Sequence, residues 1–75
     1  MERIFLLEDD EALGRGVAMA LAGPDREVTR AASLAEAKAA LAGQRFSLLV
    51  LDVNLPDGSA LDLVRALRAD RKSVV

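Results

Sequence analysis

Hydrophobic residues recur along this chain in two rhythms, short continuous runs and helical stripes, and the two alternate from end to end. Ile4-Phe5-Leu6-Leu7 is an uninterrupted apolar run that stops abruptly at Glu8-Asp9-Asp10-Glu11. A run without polar alternation suits a strand buried on both faces, so residues 4–7 are expected to form the first strand. Leu13, Val17, Ala20 and Leu21 follow at helical spacing until Gly23-Pro24 breaks the pattern, which predicts the first helix. Residues 28–31 make a weaker strand, supported by Val28 and Thr29.

Ser33-Leu34-Ala35-Glu36 presents a capping box for a second helix. Its apolar face is Leu34, Ala37 and Leu41, and Gly43 stands where a left-handed C-terminal cap is expected. Residues 46–51 form the clearest strand and run directly into Asp52. Leu55-Pro56-Asp57-Gly58-Ser59 is turn chemistry, after which Leu61, Val64 and Leu67 give a third helix its buried stripe. Arg71-Lys72 is the next loop, and Ser73-Val74-Val75 opens a fourth strand.

Strands alternating with helices imply right-handed crossovers and a parallel sheet covered on both faces. The expected fold is therefore α/β, a doubly wound parallel sheet of strand order 2-1-3-4, in one domain over residues 1–75. Its fourth strand is only begun. An open sheet edge of that kind invites pairing with a second copy, so a homo-oligomer is expected.

Composition narrows the chemistry more than the fold. Cysteine and histidine are both absent, which removes thiolate and imidazole from every role and leaves carboxylates to act near neutral pH. Twelve acidic and ten basic residues give a net charge of −2, with no basic stripe for binding nucleic acid. No apolar run approaches the roughly 20 residues that span a bilayer, and no basic-then-apolar leader stands at the N-terminus. A soluble, cytoplasmic protein is expected. The 52% apolar content argues against intrinsic disorder.

In open parallel sheets, ligands bind beyond the carboxyl ends of the strands. Glu8 and Asp9 follow the first strand and Asp52 follows the third, and strand order 2-1-3 makes those ends neighbours. Three carboxylates in one pocket repel unless a cation or proton intervenes, and hard oxygen ligands select magnesium or a similar ion. Magnesium keeps open positions for phosphoryl oxygens, and an aspartate is ionised at neutral pH without a helper base. Asp10 and Glu11 are expected instead to cap the first helix and offset its dipole.

Leu6-Leu7-Glu8-Asp9-Asp10 and Leu49-Val50-Leu51-Asp52-Val53-Asn54-Leu55-Pro56-Asp57-Gly58 resemble the two acidic motifs of the receiver domains of bacterial two-component response regulators, in order and in spacing. The resemblance implies a flavodoxin-like fold in which Asp52 is the phosphoacceptor. It also implies that Asp9 binds Mg2+ directly, Glu8 through water, Asn54 through its backbone carbonyl, and Asp52 through one carboxylate oxygen. The implied partner is a sensor histidine kinase and the implied output is transcription. The domain would be a phosphoacceptor and not an enzyme, apart from Mg2+-dependent self-phosphorylation from small phosphodonors.

Two departures stand out. Ala60 occupies a position where the family usually has glycine. By resemblance the domain would also continue for roughly forty-five residues, carrying a hydroxyl residue after the fourth strand and a lysine after the fifth. Lys38, Lys72 and Ser73 do not take those places, so 1–75 is expected to be a partial receiver domain with impaired activity.

Two other classes of function compete. One is a truncated half-domain that acts as a self-assembling structural fragment. The other, a nucleotide-binding protein, is disfavoured: after Gly14-Arg15-Gly16 the third fingerprint position holds Met19, and four acids crowd the approach of a pyrophosphate. Arg65, Arg68, Arg71 and Lys72 are expected to form the solvated face and last turn of the third helix.

Overall fold

The computed structural model describes residues 1–52, 54–61, 63–65 and 73–74. Its elements run β1 (Glu2–Leu7), α1 (Glu11–Leu21), β2 (Arg26–Ala31), α2 (Leu34–Gly43), β3 (Leu48–Leu51), β4 (Asn54–Leu55), β5 (Gly58–Ser59) and β6 (Ser73–Val74). Helical backbone resumes at Leu61 and residues 63–65, anchored by the Val64 N–H on the Ala60 carbonyl at 2.9 Å. Leu67, Arg68, Arg71 and Lys72, expected in and after that helix, lie outside the described residues, as do Val53 and Val75.

Four strands form one sheet in the order β2-β1-β3-β6, all parallel, with Leu7 opposite both Ala31 and Leu51. This is the expected order, β6 standing in the place of the fourth strand. A second, two-stranded sheet pairs β4 with β5 antiparallel; the sequence showed only a turn there. Its Gly58 has φ 142°, backbone that a residue with a Cβ rarely adopts.

Strand alternation explains how the two helices are shared between the faces of the sheet. Phe5, Leu7, Ala31 and Leu49 point to one face and pack in a buried cluster with Ala37 of α2, Phe46, Leu55 and Ala60. Glu8 and Arg30 belong to the opposite set, and both lie within 4 Å of where a Cβ on Gly14 of α1 would stand. The helices thus cover opposite faces, as a doubly wound sheet requires. Phe5 and Phe46 meet with ring centroids 5.2 Å apart, tilted by 48°, an arrangement that suits aromatic quadrupoles.

Several local expectations are corrected. Leu13 is 54% and Leu61 52% exposed, so neither leads a buried stripe. In α1 the buried residue is Gly14, because a position without a side chain allows the helix to sit close against Arg30. The third helix faces inward through Ala60, which is 1% exposed, and Leu63, which packs on the core. The residue at the glycine position of the family is therefore part of the core. Gly43 is the last residue of α2 and adopts no left-handed backbone; the helix ends at Gln44 (φ −141°), whose N–H satisfies the Ala40 carbonyl.

Candidate functional site

The site is built where β1 and β3 end side by side. Parallel pairing continues one rung beyond each strand: the Glu8 N–H donates to the Ala31 carbonyl at 3.0 Å, and the Asp52 N–H donates to the Leu7 carbonyl at 2.9 Å. These rungs lock the backbone from which both acids project. One carboxylate oxygen from each of Glu8, Asp9 and Asp52 lies within 4.8 Å of the other two. Glu8 and Asp52 are half-buried and Asp9 is exposed. Three of the four predicted ligand residues are thereby brought together. Asn54, the fourth, stands two residues after Asp52 and pairs with Ser59 through its backbone.

The other two acids of the run have separate work, as expected. Asp10 is the N-cap of α1 and accepts from the Leu13 N–H at 2.9 Å. Glu11 sits in the first turn and pairs with Arg15 at 3.3 Å and Arg30 at 3.4 Å. Those contacts, the Arg15 hydrogen bond foremost and then the charge of Arg30, hold the Glu11 carboxyl below its ordinary pKa. Glu8 also accepts from the Asp10 N–H at 3.1 Å, which turns its side chain over the start of α1. The positive end of that helix dipole partly offsets the three gathered negative charges.

The donor set fits a small hard cation. Oxygens bound to one magnesium ion are at most about 4.2 Å apart, twice its ~2.1 Å bond length. Carboxylate oxygens that all lie within 4.8 Å of one another are close enough to gather around one such ion, directly or through its water shell. A hollow of about 220 Å³ flanks the site, lined by Glu8, Glu11, Arg30, Ala31, Ala32 and Glu36. Its one cation, Arg30, is already engaged by the Glu11 carboxylate and carbonyl.

One residue was given too little weight by sequence reasoning. Asp57, read only as part of a turn, accepts hydrogen bonds from the N–H groups of Leu34 at 2.8 Å and Ala35 at 3.1 Å. Its Asp-Gly neighbourhood signals the turn, but nothing local signals partners at the start of α2.

A parallel sheet of order 2-1-3 with three acids at adjacent strand ends defines the receiver class, and the match to the response regulator receiver domain over residues 4–75 shows that this chain belongs to that family, part of two-component signalling. Among curated proteins it is similar to the DNA-binding transcriptional activator DevR/DosR of Mycobacterium tuberculosis, with 43% identity across 89% of this chain and 32% of the relative. Among solved structures it is similar to the non-phosphorylated HemR receiver domain from Leptospira biflexa, with TM-score 0.82 and 36% identity over 92% of this chain and 56% of that one. The MaeR response regulator bound to beryllium trifluoride gives TM-score 0.79 and 28% identity over 100% of this chain and 65% of that one. The chain thus spans about a third of the length of the curated relative. Among the described residues, no helix is long and apolar enough to cross a membrane.

Proposed function

We propose that this chain is a phosphoacceptor module: Asp52 receives a phosphoryl group from a sensor histidine kinase and the modification regulates an output, transcription by analogy with the relatives. The observation that carries the reading is the convergence of Glu8, Asp9 and Asp52 to within 4.8 Å. An Asp52 carboxylate oxygen attacks phosphorus, and the bond from phosphorus to the donor's histidine nitrogen breaks. The leaving nitrogen keeps the electron pair and takes a proton. Glu8, Asp9 and Asp52, whose carboxylate oxygens gather at one place, would hold Mg2+ together with the backbone carbonyl of Asn54. When bound, the ion would supply neutralisation of charge on the phosphoryl oxygens, which is what a loose transition state needs.

The protein is a substrate of its kinase and not an enzyme in its own right; with small phosphodonors it phosphorylates itself. A histidine kinase partner places it in the cytoplasm. The test is incubation with a phosphoramidate donor and Mg2+, read by intact mass, alongside Asp52→Asn. Labelling of the wild type alone is expected, and equal labelling of both would sink the assignment.

A second reading, association with another copy, is favoured by the sheet edge. β2 and β6 are the outer strands of the sheet, and the open backbone groups of an outer strand recruit other strands. Sedimentation velocity at micromolar concentration tests it; a monomer there removes it.

A further inference from the structure

The loop that follows Asp52 is fixed at both ends. At its start, the Asp52 N–H is held by the Leu7 carbonyl. At its far end, both carboxylate oxygens of Asp57 are bound, Oδ1 by the Leu34 N–H at 2.8 Å and Oδ2 by the Ala35 N–H at 3.1 Å. The β4–β5 hairpin between them is seated on the same helix end, since a Cβ on Gly58 would stand 3.1 Å from Leu34 Cδ1. Leu55 is buried in the core cluster that Leu34 packs against.

The first turn of α2 shows what Asp57 adds. A helix leaves its first N–H groups without internal partners. Here the Glu36 N–H is taken by Ser33 Oγ at 3.2 Å and the Ala37 N–H by the Ser33 carbonyl at 3.0 Å. Glu36 in turn accepts from the Ala32 N–H at 2.9 Å, one residue before the N-cap Ser33, so local side-chain capping is already present at this end. The Leu34 and Ala35 N–H groups go to a residue more than twenty positions away. That pair of bonds is the long-range tie, and the segment it ties carries Asn54.

We infer that Asp57 is a positioning residue for the cation site, its two-oxygen grip on the start of α2 fixing the β4–β5 hairpin and with it the Asn54 backbone beside Asp52. The inference rests on the phosphoacceptor reading above and deepens it. Asp57 touches neither ion nor phosphoryl group. It acts through the loop, as outer supports orient metal ligands in other sites.

The test compares Asp57→Ala, Asp57→Asn and Ser33→Ala in the full chain. Mg2+ titrations are followed by backbone amide NMR shifts of residues around Glu8 and Asp52, a readout independent of phosphorylation. Asp57→Ala is expected to raise half-saturating Mg2+ roughly tenfold, the lower end of the loss seen when outer support of a metal site is removed. Asp57→Asn, whose single amide oxygen retains one of the two bonds, shifts it less. Ser33→Ala removes a cap from the same helix without touching the hairpin, so it lowers the melting temperature and leaves Mg2+ half-saturation unchanged. Equal shifts in Asp57→Ala and Ser33→Ala, or none in Asp57→Ala, would overturn the inference. If Asp57→Ala does not fold, the comparison of Asp57→Asn with Ser33→Ala decides in the same way. A wild type that neither binds Mg2+ nor accepts phosphoryl groups defeats the phosphoacceptor reading itself, an outcome distinct from a wild type that binds normally beside an unshifted Asp57→Ala.

Discussion

The backbone N–H of Asp52 donates to the carbonyl of Leu7 at 2.9 Å, so the proposed phosphoacceptor begins on the rung of the sheet just before Glu8. That bond converts a sequence separation of more than forty residues into adjacency. It also gives the acid cluster little freedom to relax by backbone movement, and the mutual repulsion of Glu8, Asp9 and Asp52 has to be relieved by charge.

Replacing Asp9 by Asn therefore has opposite effects with and without a divalent cation. In chelator, the variant is expected to be more stable than wild type by about 0.5–1 kcal/mol, a like-charge interaction discounted for solvent at an exposed residue. The gain shrinks as salt is added. With millimolar Mg2+ the wild type is stabilised by ligand linkage and the variant much less. Thermal melts by circular dichroism measure both, since the chain has neither Trp nor Tyr to report by fluorescence.

The core is small enough that one buried leucine carries a large share of the stability. Leu49 is fully buried with Phe5 and Leu7, and Leu49→Ala is expected to cost about 2–5 kcal/mol. A domain of this size has on the order of 4–11 kcal/mol in total, so the variant should lose a large fraction of its stability and unfold at a much lower urea concentration than wild type. Leu13→Ala, at an exposed position of α1, should change stability by less than about 0.5 kcal/mol. Urea titration of the two variants separates a buried leucine from one that merely has helical spacing.

That contrast marks what was legible beforehand. The strand order, the capping residues Asp10 and Ser33, and the convergence of Glu8, Asp9 and Asp52 follow from local patterns whose outcomes are also local or set by a parallel sheet. The inward faces of α1 and the third helix did not follow from spacing. Leu13 and Leu61 fit a helical period, yet rotation about the helix axis was set by Gly14 against Arg30 and by Ala60 in the core, contacts between distant segments. Asp57 was missed for the same reason: its partners are at the start of α2, and a turn motif carries no information about them.

Two glycines of α1 should respond differently to alanine. Gly16 is helical and exposed with nothing within 4 Å of a new Cβ, so Gly16→Ala should stabilise by about 0.5–1 kcal/mol through helix propensity and a less flexible unfolded chain. A Cβ on Gly14 would meet Arg30 Nη2 at 3.2 Å, displacing the guanidinium from the Glu11 carbonyl and carboxylate. Gly14→Ala should gain less than Gly16→Ala or lose stability. Chemical denaturation of both variants checks the order.

Asp57 should also contribute an acid-sensitive part of the stability. Its carboxyl is held below the ordinary value of 3.8, first by the Leu34 N–H, against some desolvation, and then by the Ala35 N–H, its own N–H and the charge of Lys38. A depressed folded-state pKa means that the folded chain binds the proton less readily than the unfolded one, so stability falls as pH falls. The contribution is complete well above 3.8 and is lost progressively as pH drops through that value and then through the depressed one. Asp57→Asn cannot titrate there. The difference in melting temperature between wild type and Asp57→Asn should therefore be constant near neutral pH and narrow on acidification across that window. A difference that stays constant down to full protonation would mean that the two N–H bonds are as strong to the neutral acid as to the carboxylate, contrary to the charge-assisted character expected of them.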